Sequence, residues 1–158
     1  HIVLEAVESL RKSGIRIKTL VVGGASSKEY FLDIKKMYKD AIFTDFVSNP
    51  TDFMQISDCV VLATKKETFG LVLIEAMKCG VCVLGSNSGG PLEIIDDKKT
   101  GLLFESMISD SLCEKLSLII QNKELKETLA LNGKIKANEF FDSKKQFEEI
   151  KVLLNKDF

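Results

Sequence analysis

The sequence predicts an α/β fold built on a parallel sheet, and three observations carry that prediction. Short apolar segments of strand length alternate with segments whose apolar residues recur at helical spacing, through about residue 104. The segments at 18–22 and 59–63 have the apolar character of buried strands. Beyond residue 104 only helical spacing remains. These features predict a Rossmann-like, doubly wound parallel sheet in three α/β/α layers, followed by C-terminal helices.

The first part of the chain alternates helices and strands. A helical stripe of apolar residues opens the sequence, and Gly14 follows it as a stop. Asn49-Pro50 marks a turn, after which Thr51 or Asp52 can cap a short helix through its side-chain oxygen. The predicted elements are a helix at 2–13, a strand at 18–22, a helix at 29–40, a strand at 41–46, a short helix from Thr51 or Asp52 to Ser57, and a strand at 59–63.

The second part continues the alternation and then closes with helices. The predicted elements are a helix at 70–79, a strand at 81–85, a short helix at 92–96, a strand at 102–104, and helices at 109–121, 124–140 and 143–155. The last of these is amphipathic, with an apolar face formed by Phe147, Ile150, Val152 and Leu153. In a larger protein that face could pack against a neighbouring domain.

Composition places the chain among soluble, single-domain proteins without a nucleic-acid partner. Its 158 residues, 45% of them hydrophobic, can build one core, so residues 1–158 are expected to form a single domain. The 22 basic and 23 acidic residues balance, so no global field attracts nucleic acid. We find no apolar run long enough to span a bilayer and expect a cytoplasmic protein. Because His1 enters a predicted helix directly, we also expect a piece of a longer protein.

Four cysteines include a Cys-x-x-Cys pair, Cys79 and Cys82. In thiol oxidoreductases such a pair lies at a helix N-terminus, whereas here Cys79 ends a predicted helix and Cys82 begins a strand. A zinc site would need further ligands, yet the single histidine is His1 and the other cysteines stand alone in apolar segments. We therefore interpret the cysteines as structural thiols in a reducing compartment and expect no metal site.

Ligands of doubly wound sheets bind beyond the carboxyl ends of the strands, which points to the loops at 23–27, 44–49, 64–70 and 85–91. The 64–70 loop enters a helix whose first residues, Gly70, Leu71 and Val72, offer unpaired N–H groups to a phosphate. Thr68 could cap this turn. Glu67 precedes the helix and could face the cleft, while Glu75 could bind a ribose diol. The alternative is that both are ordinary surface acids.

The string ETFGLVLIEAMKCGVCVLGSNSGGPLEIIDDKKTGLLFE, residues 67–105, resembles the donor-binding half of family 4 retaining glycosyltransferases of GT-B architecture. Further similarity covers the strand and glycine loop at 21–24 and the segment at 41–47, where Asp45 replaces a more usual glycine. The matching residues are Glu67, Phe69-Gly70, Glu75-Ala76-Met77, Gly80, Gly89-Gly90, Glu93 and Thr100-Gly101. The likeness extends over nearly the whole chain.

The resemblance implies a role for each donor-site residue. Glu67 would contact the transferred sugar in the catalytic centre, and Glu75 would bind the ribose hydroxyls. The donor-binding set implied by the family comprises Gly23, which leaves room near the phosphates, Phe46 or Val47 near the base, Thr68, Phe69 and Gly70 in the loop, the Leu71 and Val72 N–H groups on the diphosphate, and Glu75. The donor would be a UDP- or GDP-sugar, the transferred group a hexosyl or hexosaminyl unit, and no metal is expected.

The chain also departs from the family's pattern. The basic arginine–lysine pair that neutralises the leaving diphosphate, and the N-terminal domain with the acceptor site, would both precede His1. We therefore expect the isolated fragment to be inactive. The partners implied for the intact protein are its own N-terminal domain and a glycan or lipid-linked acceptor, with peripheral attachment at the inner membrane face through the missing domain as an open alternative. Capsule or cell-envelope polysaccharide synthesis is a common setting of such enzymes.

The sequence argues against one other function and leaves a second one open. A dinucleotide-binding oxidoreductase would need G-x-G-x-x-G after its first strand, which Gly23-Gly24 does not begin. A non-catalytic module that binds a nucleotide-sugar or a partner is harder to separate. We interpret Lys65 and Lys66 as solvated surface residues and Glu93 as a first-turn helix acid. Gly89-Gly90 could equally be turn-forming or functional.

Overall fold

A computed structural model describes residues 1–25 and 27–142, together with Phe147, Lys151 and Val152. The elements, in chain order, are α1 Ile2–Lys12, β1 Thr19–Val21, α2 Lys28–Met37, β2 Ala41–Phe43, α3 Pro50–Gln55, β3 Cys59–Leu62, α4 Leu71–Lys78, β4 Cys82–Ser86, α5 Pro91–Ile94, β5 Leu102–Phe104, α6 Ser109–Gln121 and α7 Lys123–Phe140. Most of the helix expected at 143–155 lies outside the described residues. None of the helices within them has the length and apolar composition needed to cross a membrane.

The predicted order of elements is confirmed, and several of their ends are corrected. β5 and α6 have the predicted bounds. α2 stops at Met37 rather than residue 40, because Tyr38 leaves the helical region with φ −113° and ψ 68°. The short helix α3 begins at Pro50 after Asn49, so the expectation that Thr51 or Asp52 caps it was wrong. Proline suits this first position because its missing N–H would have no helical partner there.

The strands form two parallel sheets rather than the one continuous sheet that the alternation suggested. β1 pairs with β2, and β4 pairs with β3 on one side and β5 on the other. Among the described residues, no strand pairing joins the two sheets. The parallel direction is confirmed for every pair, so the carboxyl ends of β3, β4 and β5 meet at one edge.

Two hydrophobic clusters occupy opposite faces of the three-stranded sheet, as the predicted three-layer arrangement requires. Alternate residues of β4 divide between them, because side chains along a strand point to opposite faces. Cys82 and Leu84 join the cluster formed with α1, α6 and α7, whereas Val83 joins the cluster formed with α4 and α5. β4 is buried at all five of its positions. It is therefore the centre of the fold.

The β1–β2 sheet and α2 are held less firmly. α2 buries none of its residues. It contacts β2 through an edge-to-face pair of Phe31 and Phe43, with ring centroids 5.6 Å apart. Lys35 lies 4.4 Å from the Phe31 ring centroid and 3.3 Å from a carboxylate oxygen of Asp45. Contacts with α1 add to this surface cluster: a hydrogen bond joins His1 Nδ1 and the Tyr30 hydroxyl, and Arg11 forms a salt bridge with Asp40.

The cysteines adopt the places that the sequence predicted. Cys79 is the C-cap of α4 and Cys82 is the first residue of β4, and all four cysteines are free thiols. Cys59 and Cys82 are register partners on neighbouring strands. Burial raises the pKa of the Cys59 thiol to about 12 and that of the Cys82 thiol to about 11. Both are neutral at physiological pH, as structural thiols should be.

These shifts predict a loss of stability at alkaline pH. The folded thiols titrate above their ordinary pKa of 9.0, so their contribution is complete below pH 9 and is lost as the pH rises toward 11 to 12. Between pH 9 and 11, the free energy of unfolding should fall steadily with rising pH, by about 3 kcal/mol per pH unit at most from these two groups. Urea unfolding at a series of pH values measures this slope. A Cys59→Ala, Cys82→Ala double variant should show a shallower slope, and an equal slope would contradict the assignment.

Candidate functional site

A sharp change of direction at Gly70 leads the 64–70 loop into α4. Gly70 is the N-cap of this helix and lies in the left-handed region, with φ 94° and ψ 44°. Glycine adopts this region without the steric cost that a Cβ imposes. A Cβ at Gly70 would also lie 3.3 Å from Cδ2 of Leu62 and 3.4 Å from Cδ1 of Ile94. The start of α4 can therefore sit directly against the end of β3.

The first turn of α4 presents backbone donors. Neither the Leu71 nor the Val72 N–H has a hydrogen-bond partner among the described residues, and Leu71 is exposed. The Leu73 N–H bonds the Gly70 carbonyl at 2.9 Å. No side chain caps the helix, so the expectation that Thr68 does so was wrong. Gly70 holds the N-cap position, which leaves Thr68 exposed two residues earlier.

The two glutamates occupy different settings. Glu67 is half-buried, and its carboxylate is 3.4 Å from both the Thr64 hydroxyl and the Phe69 N–H. Glu75 is exposed on α4, beyond the first turn. The structure thus places Glu67 over the helix start, with its Cγ 3.5 Å from a Cβ built on Gly70. The pair is not a symmetric carboxylate couple.

Gly89 and Gly90 pack directly against the loop that carries Glu67. The Gly90 N–H bonds the Glu67 carbonyl at 3.0 Å. A Cβ on Gly89 would overlap the Glu67 carbonyl oxygen, and one on Gly90 would overlap that of Phe69. The two glycines therefore allow the 85–91 loop to touch the Glu67 loop, whether they are interpreted as turn residues or as site residues.

Sequence reasoning missed two serines at this contact. The Ser86 hydroxyl donates to the Thr64 carbonyl at 2.9 Å, and the Ser88 hydroxyl donates to the Lys65 carbonyl at 3.2 Å. The one sequence signal was the SNSGG string within a loop already marked as facing a ligand. Nothing in that string identifies the carbonyls that accept the two bonds.

Gly23, expected near the phosphates, and Phe46 and Val47, expected near the base, lie on the loops that follow β1 and β2. Gly23 has φ 109°, and its N–H bonds the Asp45 carbonyl at 3.0 Å. Asp45 has φ 56°, which ends β2 at Phe43 instead of residue 46 and explains why glycine suits this position. Phe46 is 86% exposed and Val47 is half-buried. No hydrogen bond or salt bridge among the described residues joins these loops to the Glu67 loop.

The charged groups near the site are few. Lys65 and Lys66 are exposed, as expected for solvated residues, and Glu93 lies in the first turn of α5. In the part of the chain that the structure describes, no three His, Cys, Asp or Glu residues are grouped so that they could hold a metal ion. Among the described residues, the polar groups at the carboxyl edge of the sheet include the helix N–H groups, the serine and threonine hydroxyls and the Glu67 carboxylate.

Comparison with known proteins identifies the family. The sequence profile described as "Glycosyl transferases group 1" matches residues 1–136. The chain belongs to this family. Its match includes Gly23, the Glu67 loop, α4 and the Gly89-Gly90 contact.

Curated relatives of this group 1 chain are glycosyltransferases. It is 24% identical to the capsular polysaccharide biosynthesis glycosyltransferase CapM of Staphylococcus aureus, over 98% of the chain and 42% of CapM. It is 31% identical to N-acetyl-alpha-D-glucosaminyl L-malate synthase of Bacillus anthracis, over 84% of the chain and 36% of that protein. Human alpha-1,3/1,6-mannosyltransferase ALG2 is 30% identical over 93% of the chain and 39% of ALG2. The chain thus spans about two fifths of the length of these relatives.

Solved structures confirm the fold of this group 1 chain. Anabaena Alr3699/HepE, solved in complex with UDP-glucose, has a TM-score of 0.89 at 24% identity, covering 99% of this chain and 44% of HepE. The C-terminal domain of the group 1 protein LpcC of Francisella tularensis has a TM-score of 0.81 at 25% identity, covering 90% of this chain and 78% of that chain. The architecture is the Rossmann-like α/β fold that GT-B glycosyltransferase structures share.

The contact between the two loops can be tested by adding one methyl group. Gly90 has ordinary helical angles, so Gly90→Ala strains no backbone angle and acts only through overlap with the Phe69 carbonyl. We expect it to lower the free energy of unfolding by about 2 kcal/mol or more, measured by urea unfolding. Gly24→Ala is the matched control, because nothing lies within 4 Å of its Cβ position, and it should change stability by at most about 0.5 kcal/mol. Equal effects of the two changes would contradict this packing.

Proposed function

We propose that this chain is the donor-binding domain of a family 4 retaining glycosyltransferase. In the intact GT-B protein it transfers a hexosyl or hexosaminyl group from a nucleoside diphosphate to a glycan or lipid-linked acceptor, with retention at the anomeric carbon. The observation that carries the proposal is the start of α4, where unpartnered N–H groups of Leu71 and Val72 follow a left-handed Gly70. Such a helix start suits an anion, and the UDP-glucose with which HepE was solved carries a diphosphate.

The proposed phosphate site at the start of α4 suggests a role for each of the other residues. With the diphosphate on Leu71 and Val72, the carboxylate of Glu67 lies on the loop side of this site, where the sugar leaves the phosphate. We assign the ribose hydroxyls to Glu75, which is exposed on α4 beyond the first turn and is free to accept hydrogen bonds there. Gly23 leaves room near the phosphates, and Phe46 or Val47 lies near the base. Departure of the diphosphate is assisted by fixed N–H dipoles, which need no reorganisation during the reaction.

UDP is the donor nucleotide that we favour over GDP. Its support is the UDP-glucose complex of HepE, which shares this fold over almost the whole chain. We propose that donor binding needs no metal ion, because helix N–H groups carry the diphosphate. The free cysteines favour a reducing, cytoplasmic setting. CapM favours polysaccharide assembly as the process, with the acceptor held by an N-terminal domain of the same protein.

Titration with nucleotides tests the proposed phosphate site at Leu71 and Val72 directly. We expect UDP, added in the presence of EDTA, to shift the amide resonances of Leu71 and Val72 in an NMR spectrum. The affinity should be weak, with a dissociation constant on the order of 1 mM, because Lys65 and Lys66, the basic residues nearest in sequence to the start of α4, are exposed to solvent. Uridine without phosphates is the control and should leave these resonances unchanged, and GDP tests the choice of base. If neither UDP nor GDP moves them, the donor-site proposal is wrong.

The ribose role of Glu75 can be separated from general effects. Glu75→Ala should weaken UDP binding about tenfold, since a charged acceptor loses its bonds to the diol. It should also abolish the preference for UDP over 2′-deoxy-UDP, which lacks one ribose hydroxyl. Glu93→Ala, which removes another exposed helix glutamate, is the matched control. A preference that persists in Glu75→Ala would assign the ribose contact to another residue.

A non-catalytic nucleotide-sugar-binding module is the alternative function. It predicts the same titration results but no sugar transfer by the full-length protein. Transfer assayed with the full-length protein, with the anomeric configuration of the product determined by proton NMR, distinguishes the two and decides retention.

A further inference from the structure

The backbone of residues 64–67 belongs to no helix or strand, yet it is held at three of its four carbonyl groups. The donors are the Ser86 hydroxyl on Thr64 at 2.9 Å, the Ser88 hydroxyl on Lys65 at 3.2 Å, and the Gly90 N–H on Glu67 at 3.0 Å. All three donors come from one stretch of five residues, 86–90, which we call the clamp segment. Among the described residues, no other hydrogen bond ties these carbonyls to the rest of the molecule.

The clamp segment is itself fixed from its opposite side. Residues 86, 88 and 90 donate toward the Glu67 loop, whereas the intervening Asn87 faces β5. Its N–H bonds the Phe104 carbonyl at 2.8 Å, and its side-chain oxygen accepts from the Ser106 N–H at 2.9 Å. Pro91, which follows, is buried at the start of α5. The clamp segment therefore anchors the Glu67 loop to the sheet.

The position of the Glu67 carboxylate depends on this backbone. Its own side-chain contacts, to the Thr64 hydroxyl and the Phe69 N–H, are both long at 3.4 Å and both lie within the same loop. They orient the carboxylate relative to the loop but do not hold the loop in place. The clamp segment holds the loop in place, and a displacement of the loop would move the Glu67 carboxylate with it.

We propose that Ser86 and Ser88 are positioning residues for Glu67. By holding the Thr64 and Lys65 carbonyls, they hold the Glu67 carboxylate at the place where the sugar of the donor binds. This inference rests on the proposed function for the identity of the ligand. Ser86 is buried, so its hydrogen bond is made away from water and its loss leaves a carbonyl unpaired. Ser88 is half-buried and closer to the cleft.

The first measurement needs no ligand. Amide hydrogen exchange at Gly90 reports how often the bond to the Glu67 carbonyl opens. We expect Ser86→Ala and Ser88→Ala each to accelerate this exchange about fivefold, the effect of losing one neutral hydrogen bond. Ser13→Ala is the matched control, since its hydroxyl also donates to a carbonyl, that of Leu10 at 2.7 Å, in a turn after α1. Ser88→Thr retains the hydroxyl and should restore slow exchange.

The second measurement tests the consequence for the sugar. We compare the dissociation constants of UDP and UDP-glucose by NMR titration of the same variants. In both alanine variants UDP should bind as in the original chain, because α4 is untouched, while the gain in affinity from the glucose should fall about fivefold. A serine with a merely structural role would weaken both ligands alike.

The two measurements test separate steps of the proposal. Unchanged exchange at Gly90 in both variants overturns the clamp, whatever the chain binds. Faster exchange with an undiminished glucose gain overturns the positioning of Glu67, as does the absence of any glucose gain in the original chain. If the original chain binds neither UDP nor UDP-glucose, the proposed function fails, and the exchange data still decide whether residues 86–90 hold the loop.

Discussion

The parallel pairing of β3 with β4 is the constraint on which the candidate site depends. Its register sets Leu62 opposite Gly85, so the chain leaves both strands side by side at one edge of the sheet. The loops that follow can then touch, provided that the contact contains no Cβ, and Gly89 and Gly90 meet this condition. The start of α4 and the position of Glu67 both follow from that contact. A shift of register by one residue would remove it entirely.

The site combines two kinds of rigidity that suit group transfer. The N–H groups of Leu71 and Val72 are fixed by a helix packed through Leu73 and Ile74 into a core. Glu67 is fixed by hydrogen bonds from a neighbouring loop. Dipoles that are held in place before the reaction stabilise developing charge without an energetic cost of reorientation. In the proposed donor site, backbone groups bind the phosphate and a side chain contacts the sugar, and the two come from separate elements.

Much of this arrangement could be predicted from local sequence. The alternation of elements and the bounds of β5 and α6 are set by nearby apolar spacing and polar flanks, and the start of α4 is set by Gly70. The end of β2 could not be predicted, because it depends on the Asp45 carbonyl meeting the Gly23 N–H across a loop. The hydrogen bonds of Ser86 and Ser88 could not be predicted for the same reason. Their partners are about 22 residues away in the chain, and only the strand register brings them together.

The weak attachment of α2 has a consequence for how the two halves of the domain respond to stress. A two-stranded sheet is marginally stable alone, and α2 adds no buried residue to it. The free energy of local unfolding should therefore be graded across the molecule, lowest around β1, α2 and β2 and highest around β4. The loops that carry Gly23, Phe46 and Val47 lie on the labile side of that gradient, and the Glu67 loop lies on the robust side. Under the proposed function, the loop assigned to the base is therefore held less firmly than the loop that carries Glu67.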